Sequence, residues 1–173
     1  IDRQVHLMAD NVQDEKPRNV PDKVWVGFDL GGTKMLAVVF DEKFQVLGKK
    51  RRKTRDKTRD GIQLDRLADT IRMALADAGA DEAAVQGIGA GCPGPLDLKK
   101  GIILEAPNLG WKNVELKDYF ATQFDCPAEI CNDVDAGVFG EYTHGAGRGA
   151  RCVLGVFPGT GIGGGCVYEG KIF

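Results

Sequence analysis

Two glycine-rich turns contain the residue types that could handle phosphate groups. The first, residues 29–34, combines a carboxylate, two glycines, a hydroxyl and an ammonium group. Glycines let a backbone approach a ligand closely, and free N–H groups beside a hydroxyl form a cradle for anionic oxygens. Asp29 is a hard anionic ligand that suits a Mg²⁺ ion arriving with a nucleotide. An ordinary polar turn would have a similar composition, so this motif is weak when taken alone.

The second turn, residues 159–165, reads Gly-Thr-Gly-Ile-Gly-Gly-Gly between two apolar, strand-like runs. Neither turn ends in the Gly-Lys-Ser/Thr of a Walker loop. Neither precedes the helix that a dinucleotide-binding fingerprint requires. Two hairpin turns of this kind, facing each other across a cleft, resemble the phosphate loops of actin-like ATPases and sugar kinases.

A third chemical feature is the pair Asn132 and Asp133, which follows a strand-like run and precedes a helical pattern. Asn and Asp are both good helix caps. Asp133 could instead be a general base, because phosphoryl transfer needs chiefly positioning, charge neutralisation and a base near the attacking hydroxyl. The residue types alone leave both interpretations open.

Five motifs together resemble the ROK family (repressors, open reading frames, kinases), and within it the glucokinase-like bacterial sugar kinases. They occur in the family's order within residues 24–173, at residues 29–34, 91–97, 107–111, 132–141 and 159–165. The resemblance implies ATP-dependent phosphorylation of a hexose, with ATP and Mg²⁺ as cofactors and a homo-oligomeric full-length protein. A sugar-responsive repressor and a non-catalytic sugar-binding remnant are the alternatives. The motifs leave open which hexose is bound.

The resemblance also implies roles for individual residues. Asp133 would be the general base, and Asp29 would hold Mg²⁺ through water. The sugar would be bound by Gly94, Asn108, Asn132 and Asp133, although Asn108 could simply bond its own loop. The nucleotide would be bound by residues of both turns, namely Asp29, Gly31, Gly32, Thr33, Lys34, Gly159, Thr160, Gly161, Gly163 and Gly164. Glu141 is assigned a structural role.

These side chains need a scaffold, and hydrophobic patterning predicts an α/β fold. Residues 24–28 and 35–40 read as a β-hairpin, residues 44–53 as a third strand, and residues 64–75 as a helix capped by Asp60 and ended by Gly79. Further strands are expected at residues 85–91, 102–104 and 127–131, with a helix at residues 116–124. The resemblance implies an actin-like (ribonuclease H-like) lobe, in which helices flank a mixed β-sheet.

Polar composition at the N-terminus and the family resemblance together imply three segments. Residues 1–23 are expected to be a disordered polar extension, and residues 24–148 the N-terminal actin-like lobe. Residues 149–173 would begin a second, similar lobe with its first hairpin. We therefore expect a fragment without kinase activity of its own. A structural zinc site, which family members often have, would lie only beyond Phe173.

Composition and charge narrow the function classes. The chain has 173 residues, 43% hydrophobic and 28% charged, which is enough to bury a core. A formal net charge of −2 argues against a general nucleic-acid binder. The basic run at residues 49–53 is therefore interpreted as a solvated edge strand. Five cysteines without paired metal spacing are typical of a cytoplasmic protein, and we expect no membrane association.

Overall fold

The computed structural model describes residues 22–54, 63–158 and 162–173. The helices are α1 Leu64–Ala78, α2 Leu116–Phe124 and α3 Asp133–Thr143, with a short 3₁₀-helix at Glu82–Ala84. The strands are β1 Val24–Leu30, β2 Lys34–Phe40, β3 Val46–Lys53, β4 Val85–Cys92, β5 Leu96–Asp97, β6 Ile102–Ala106, β7 Trp111–Val114, β8 Ala128–Asn132, β9 Cys152–Pro158, β10 Ile162–Tyr168 and β11 Lys171–Ile172. None of these helices is long and apolar enough to cross a membrane. The predicted extension falls almost wholly outside the described residues.

A five-stranded mixed sheet organises the fold, in the order β3-β2-β1-β4-β8. The first three strands pair antiparallel, as expected for the predicted hairpin. β1, β4 and β8 pair in parallel, so their carboxyl ends lie at one edge of the sheet. The α/β prediction is confirmed, including the mixed character of the sheet.

Helices α1 and α2 cover one face of this sheet. Phe28 of β1 meets Phe120 of α2 edge-to-face, with ring centroids 5.5 Å apart. Gly48 of β3 lets α1 approach closely, because a Cβ there would run into the backbone of Ala78. The residues buried at this interface form a continuous core that includes Leu30, Met35, Leu67, Ile71, Leu75 and Phe120.

Helix α1 begins and ends close to the predicted positions. Gln63 precedes it without a side-chain capping bond, and the predicted cap, Asp60, lies outside the described residues. Gly79 adopts a left-handed conformation (φ 73°), and the N–H groups of Gly79 and Ala80 bond to carbonyls of the last turn. This is the glycine-dependent helix stop that the sequence predicts.

Prediction of a strand from residue 44 was wrong. Phe44 has a φ of 58° and belongs to a turn, and β3 begins at Val46. Asp41 stabilises this turn, because its carboxylate accepts hydrogen bonds from the N–H groups of Lys43 and Gln45, both at 2.8 Å. An aromatic residue gives no sequence signal for a left-handed turn, which glycine and asparagine usually occupy.

A second sheet, β9-β10-β11, packs on helix α3. Glycines make this contact close: a Cβ at Gly155 would meet Val138 of α3, and one at Gly163 would lie 2.7 Å from Val134 Cγ2. Gly163, which belongs to the described part of the second glycine-rich motif, is thereby held near the amino end of α3. Whether a separate lobe begins at residue 149 stays a prediction.

Candidate active site

The carboxyl ends of the three parallel strands bring the candidate carboxylates to one place. Asp29 of β1 pairs with Gly91 of β4, which in turn pairs with Cys131 of β8. Asp133 begins α3 two residues further on. A Cβ on Gly91 would lie 3.4 Å from the Asp133 Cα, so the small residue lets the start of α3 sit close above the sheet. Ligands of open α/β sheets bind at such strand ends.

A cavity of about 1470 Å³ opens between this sheet face, α3 and the β9–β10 hairpin. Five of the predicted site residues line it, namely Asp29, Gly94, Asn108, Asp133 and Gly163. Among the other predicted residues that the structure describes, Asn132, Gly164 and the turn residues Gly31, Gly32, Thr33 and Lys34 are not in its lining. Gly159, Thr160 and Gly161 lie outside the described residues.

Asp29 and Asp133 interact electrostatically. The Asp29 side chain keeps a solvent-exposed side. The surrounding protein nevertheless desolvates the carboxylate, and this is the main cause that raises its pKa above the ordinary value. The negative charge of Asp133 raises the same pKa further, whereas Arg51 lowers it. A divalent cation would relieve this charge accumulation.

The first glycine-rich turn is tightly built. The Gly31 N–H donates to the Lys34 carbonyl at 3.0 Å, and a Cβ on Gly31 would be only 2.6 Å from that oxygen. A Cβ on Gly32 would lie 3.0 Å from the Asn108 Cβ. The turn predicted to bind phosphates therefore abuts the loop predicted to bind sugar. At both positions close packing explains why the residue is glycine, since a larger side chain would crowd its neighbours.

Asn132 and Asp133 make different contacts at the start of α3. The Asn132 side-chain oxygen accepts from the N–H groups of Val134 at 3.0 Å and Asp135 at 3.3 Å, so Asn132 is the helix cap. Asp133 Oδ1 also accepts from the Val134 N–H at 3.0 Å, while its side chain lines the cavity. The cap is thus supplied without Asp133.

Gly94 and Asn108 lie on the two loops predicted to contact sugar. Backbone geometry explains the first residue, but not the second. Gly94 has a φ of 90°, and a Cβ there would overlap the Glu105 carbonyl oxygen, so the backbone already requires glycine. The Asn108 turn closes through backbone bonds, including Gly110 N–H to Pro107 O at 3.1 Å. In the described part of the chain no hydrogen bond uses the Asn108 side chain, which is exposed beside the cavity.

Thr54 is a residue that the sequence interpretation missed. It is only 3% exposed, and its hydroxyl donates to the Gly31 carbonyl at 2.6 Å. Its backbone N–H donates to the Thr33 carbonyl at 3.0 Å. Thr54 follows the basic run, where nothing in the local pattern marks a threonine as a partner of a turn more than twenty residues earlier.

The register of β3 places the basic side chains of residues 49–53 on two different faces of the sheet. β3 is an edge strand with mostly exposed side chains, as predicted. Arg51 pairs with Leu36, which pairs with Asp29, so Arg51 shares the cavity face of the sheet. Arg52 instead pairs with the buried Met35 on the α1 face. The run therefore presents part of its positive charge beside the candidate site.

Other polar residues are held by structural contacts or by burial. Glu141 Oε2 accepts from the Ala146 N–H at 3.0 Å and shapes the turn after α3, in line with its predicted role. His144 packs against the Phe44 ring, 4.8 Å between centroids. Burial raises the pKa of the Cys92 thiol to about 12, so it stays protonated. The described residues contain no group of three or more potential metal-binding side chains.

Comparisons with known proteins agree with this geometry. A glucokinase from Halalkalibacterium halodurans is 31% identical over 151 residues, which cover 87% of this chain and 46% of that protein. A xylose repressor from Caldicellulosiruptor bescii is 33% identical over 107 residues, covering 62% and 27%. The crystal structure of a ROK family glucokinase from Streptomyces griseus, in complex with glucose and AMPPNP, matches with a TM-score of 0.71 at 34% identity, covering 87% of this chain and 46% of that chain.

The chain thus spans about half the length of the curated glucokinases it matches. Its fold is that of the actin-like ATPases, as the motifs predicted. The model of the ROK family matches residues 25–173, which contain both glycine-rich turns and the strand-to-helix junction between them. The chain belongs to the ROK family.

Proposed function

We propose that the protein carrying this chain phosphorylates a hexose with ATP as donor, in the manner of a glucokinase. The observation that carries the proposal is the convergence of Asp29 and Asp133 on one cavity at the carboxyl edge of the parallel strands. The similarity to a glucokinase that binds glucose and AMPPNP supports the choice of sugar and nucleotide as ligands.

Asp133 is proposed as the general base for the attacking sugar hydroxyl. It lines the cavity, and Asn132 caps α3. In the described residues the Asp133 carboxylate accepts only the Val134 N–H, through Oδ1, which leaves its second oxygen for proton transfer. A positioned base contributes roughly 10²–10⁴-fold to such reactions. Asn108, whose side chain has no hydrogen-bond partner in the described ranges, is proposed to orient the sugar together with Gly94.

Turn residues 31–34 are proposed to bind the donor phosphates from one side, and residues 159–164 from the other. The close packing of Gly163 on Val134 places the strand after the second turn beside the start of α3. Phosphate groups would therefore lie near the amino end of a helix, where backbone N–H groups favour anions.

The residues present fit a Mg²⁺ ion that enters with the nucleotide. Mg²⁺ is commonly held by one or two carboxylates together with water and substrate phosphates. Asp29 is the proposed ligand, through water, because its carboxylate is partly desolvated and lies near the negative charge of Asp133. When bound, the ion would neutralise charge on the transferring phosphoryl group.

An ADP-release assay on the whole protein tests this proposal. Glucose, mannose, N-acetylglucosamine and N-acetylmannosamine should be compared, each with and without MgATP. Sugar-dependent ADP release is the expected result for at least one hexose. Absence of release with all four, in protein that binds MgATP, would contradict the proposal.

A sugar-responsive repressor is the second candidate function. The observation favouring it is the similarity to the Caldicellulosiruptor bescii xylose repressor across 62% of the chain. Calorimetric sugar binding without any phosphorylation would support this candidate. Kinase turnover would argue against it, because a sensor has no need of a catalytic base.

A further inference from the structure

The feature that carries a further inference is the junction between the end of β3 and the first glycine-rich turn. Thr54 reaches this turn at two points, through its hydroxyl to the Gly31 carbonyl and through its N–H to the Thr33 carbonyl. The hydroxyl bond is short, at 2.6 Å, and Thr54 is 3% exposed. Water therefore has little access with which to replace this contact.

The hydrogen bond from the Thr54 hydroxyl to the Gly31 carbonyl also orients the Gly32 N–H. The Gly31 carbonyl and the Gly32 N–H belong to a single planar, trans peptide group, so they point in opposite directions. Holding the carbonyl toward Thr54 therefore holds the Gly32 N–H away from it. No hydrogen bond in the described part of the chain uses the Gly32 N–H.

We propose that Thr54 is a positioning residue of the donor-phosphate site. It holds the peptide between Gly31 and Gly32 so that the Gly32 N–H is preorganised to donate to a phosphate oxygen. Glycine peptides are otherwise free to rotate among many conformations, and ordering them only on binding would weaken the nucleotide complex. The inference rests on the proposed function, because it assigns this turn to the phosphates of the donor.

The chain contains a matched control for this role. Thr70 is also fully buried, and its hydroxyl donates to the Arg66 carbonyl at 2.8 Å within the same helix. Replacing either threonine by valine removes one buried hydroxyl and preserves the side-chain shape. The Thr70 hydroxyl also lies 3.6 Å from Met35 Sδ on β2, but in the described part of the chain it makes no hydrogen bond to residues 29–34, as Thr54 does. A general effect of losing a buried hydroxyl can therefore be separated from an effect on the peptide between Gly31 and Gly32.

The experiment compares Thr54→Val, Thr54→Ser and Thr70→Val in the whole protein. Thr54→Val should raise the KM for MgATP roughly tenfold, which corresponds to about 1.4 kcal/mol, with the sugar KM changing less than about twofold. Thr54→Ser keeps the hydroxyl and should retain the wild-type KM for MgATP. Thr70→Val should leave both KM values unchanged. If Thr54→Val does not fold, Thr54→Ala replaces it, with the same expected shift.

Equal effects on MgATP and sugar, or an unchanged KM for MgATP in folded Thr54→Val, would overturn the proposal. Loss of MgATP affinity in Thr54→Ser would overturn it as well. If the wild type shows no turnover with any sugar, the proposed function fails. The positioning role of Thr54 is then tested separately, by MgATP titration and by hydrogen exchange in residues 29–36 of the wild type and Thr54→Val. Faster exchange with weaker MgATP binding in Thr54→Val supports the positioning role, whereas faster exchange with unchanged binding, or no change in either, refutes it.

Discussion

Among single residues, Asp133 separates the kinase from the sensor most sharply. Asp133→Asn keeps the shape of the side chain and its ability to accept the Val134 N–H bond, but an amide cannot take the substrate proton. We expect kcat to fall by about 10²–10⁴-fold with sugar Kd changing far less. The measurements are steady-state kinetics and calorimetry. Since Asn132 caps α3, thermal stability should barely move. Unchanged turnover would remove Asp133 from the mechanism.

We expect the ionised Asp29 carboxylate to lower the stability of the fold, although the proposed Mg²⁺ site needs it. Because desolvation and Asp133 raise its pKa, the folded protein binds this proton more tightly than the unfolded chain does. Stability therefore falls as pH rises from about 3.9 through the raised folded value, and the cost persists at neutral pH. Asp29→Asn should increase Tm at pH 7 without Mg²⁺, and the increase should fade below pH ~3.9.

The same Asp29→Asn variant should lose the stabilisation that MgATP gives to the wild type. Thermal unfolding with and without MgATP measures both effects. A lower Tm at pH 7 would show that Asp29 is a stabilising residue of the turn, and would contradict the interpretation that desolvation and the Asp133 charge disfavour its ionised form.

At the level of strands and helices, the β9–β10 hairpin contains glycines of two kinds. Gly155 faces α3, where a Cβ would run into Val138. Gly164 faces away from the helix, and a Cβ there would meet only ordinary contact, with the Gly155 carbonyl at 3.4 Å. Gly155→Ala should lower the free energy of unfolding by about 1–3 kcal/mol, because overpacking forces the hairpin from the helix.

Gly164→Ala is the matched change for this hairpin. It should leave the free energy of unfolding within about 0.5 kcal/mol of the wild type. If Gly164 approaches the nucleotide, the KM for MgATP should rise in the whole protein. Denaturant unfolding and kinetics on both variants provide the test. Equal destabilisation by the two substitutions would show that the packing of this sheet is misassigned.

At the level of the whole molecule, the sheet β9-β10-β11 has an exposed apolar surface. Leu154, Val156 and Ile162 are 75%, 71% and 84% exposed, and they share the side of the hairpin that faces away from α3. Such a patch favours association. We expect residues 1–173 alone to self-associate through this face or to bind a hydrophobic dye.

Sedimentation and dye fluorescence measure this expectation. Leu154→Lys together with Ile162→Lys should reduce both signals, while Leu104→Lys, at another exposed apolar position on β6, should not. A clean monomer without dye binding in the unaltered chain would contradict the prediction.

Local patterns in the sequence were sufficient for much of this architecture. The first hairpin, the helix at residues 116–124 and the stop at Gly79 depend on hydrophobic periodicity and turn chemistry, which act between near neighbours. The glycine-rich turns and the Asn132–Asp133 pair could be identified because each is a contiguous motif. The expectation that they lie together came from the family resemblance, not from the residues alone.

Other features depend on pairing between distant segments, which a local pattern does not encode. The Thr54 bond to Gly31 and the position of Arg51 beside Asp29 arise from the register of β2 with β3. The division between Asn132 as cap and Asp133 as cavity residue depends on how α3 leaves the sheet above Gly91. A shift of one residue in the pairing of β2 with β3 would turn the Arg51 side chain to the opposite face of the sheet. The packed sheet and helices therefore determine which polar residues meet.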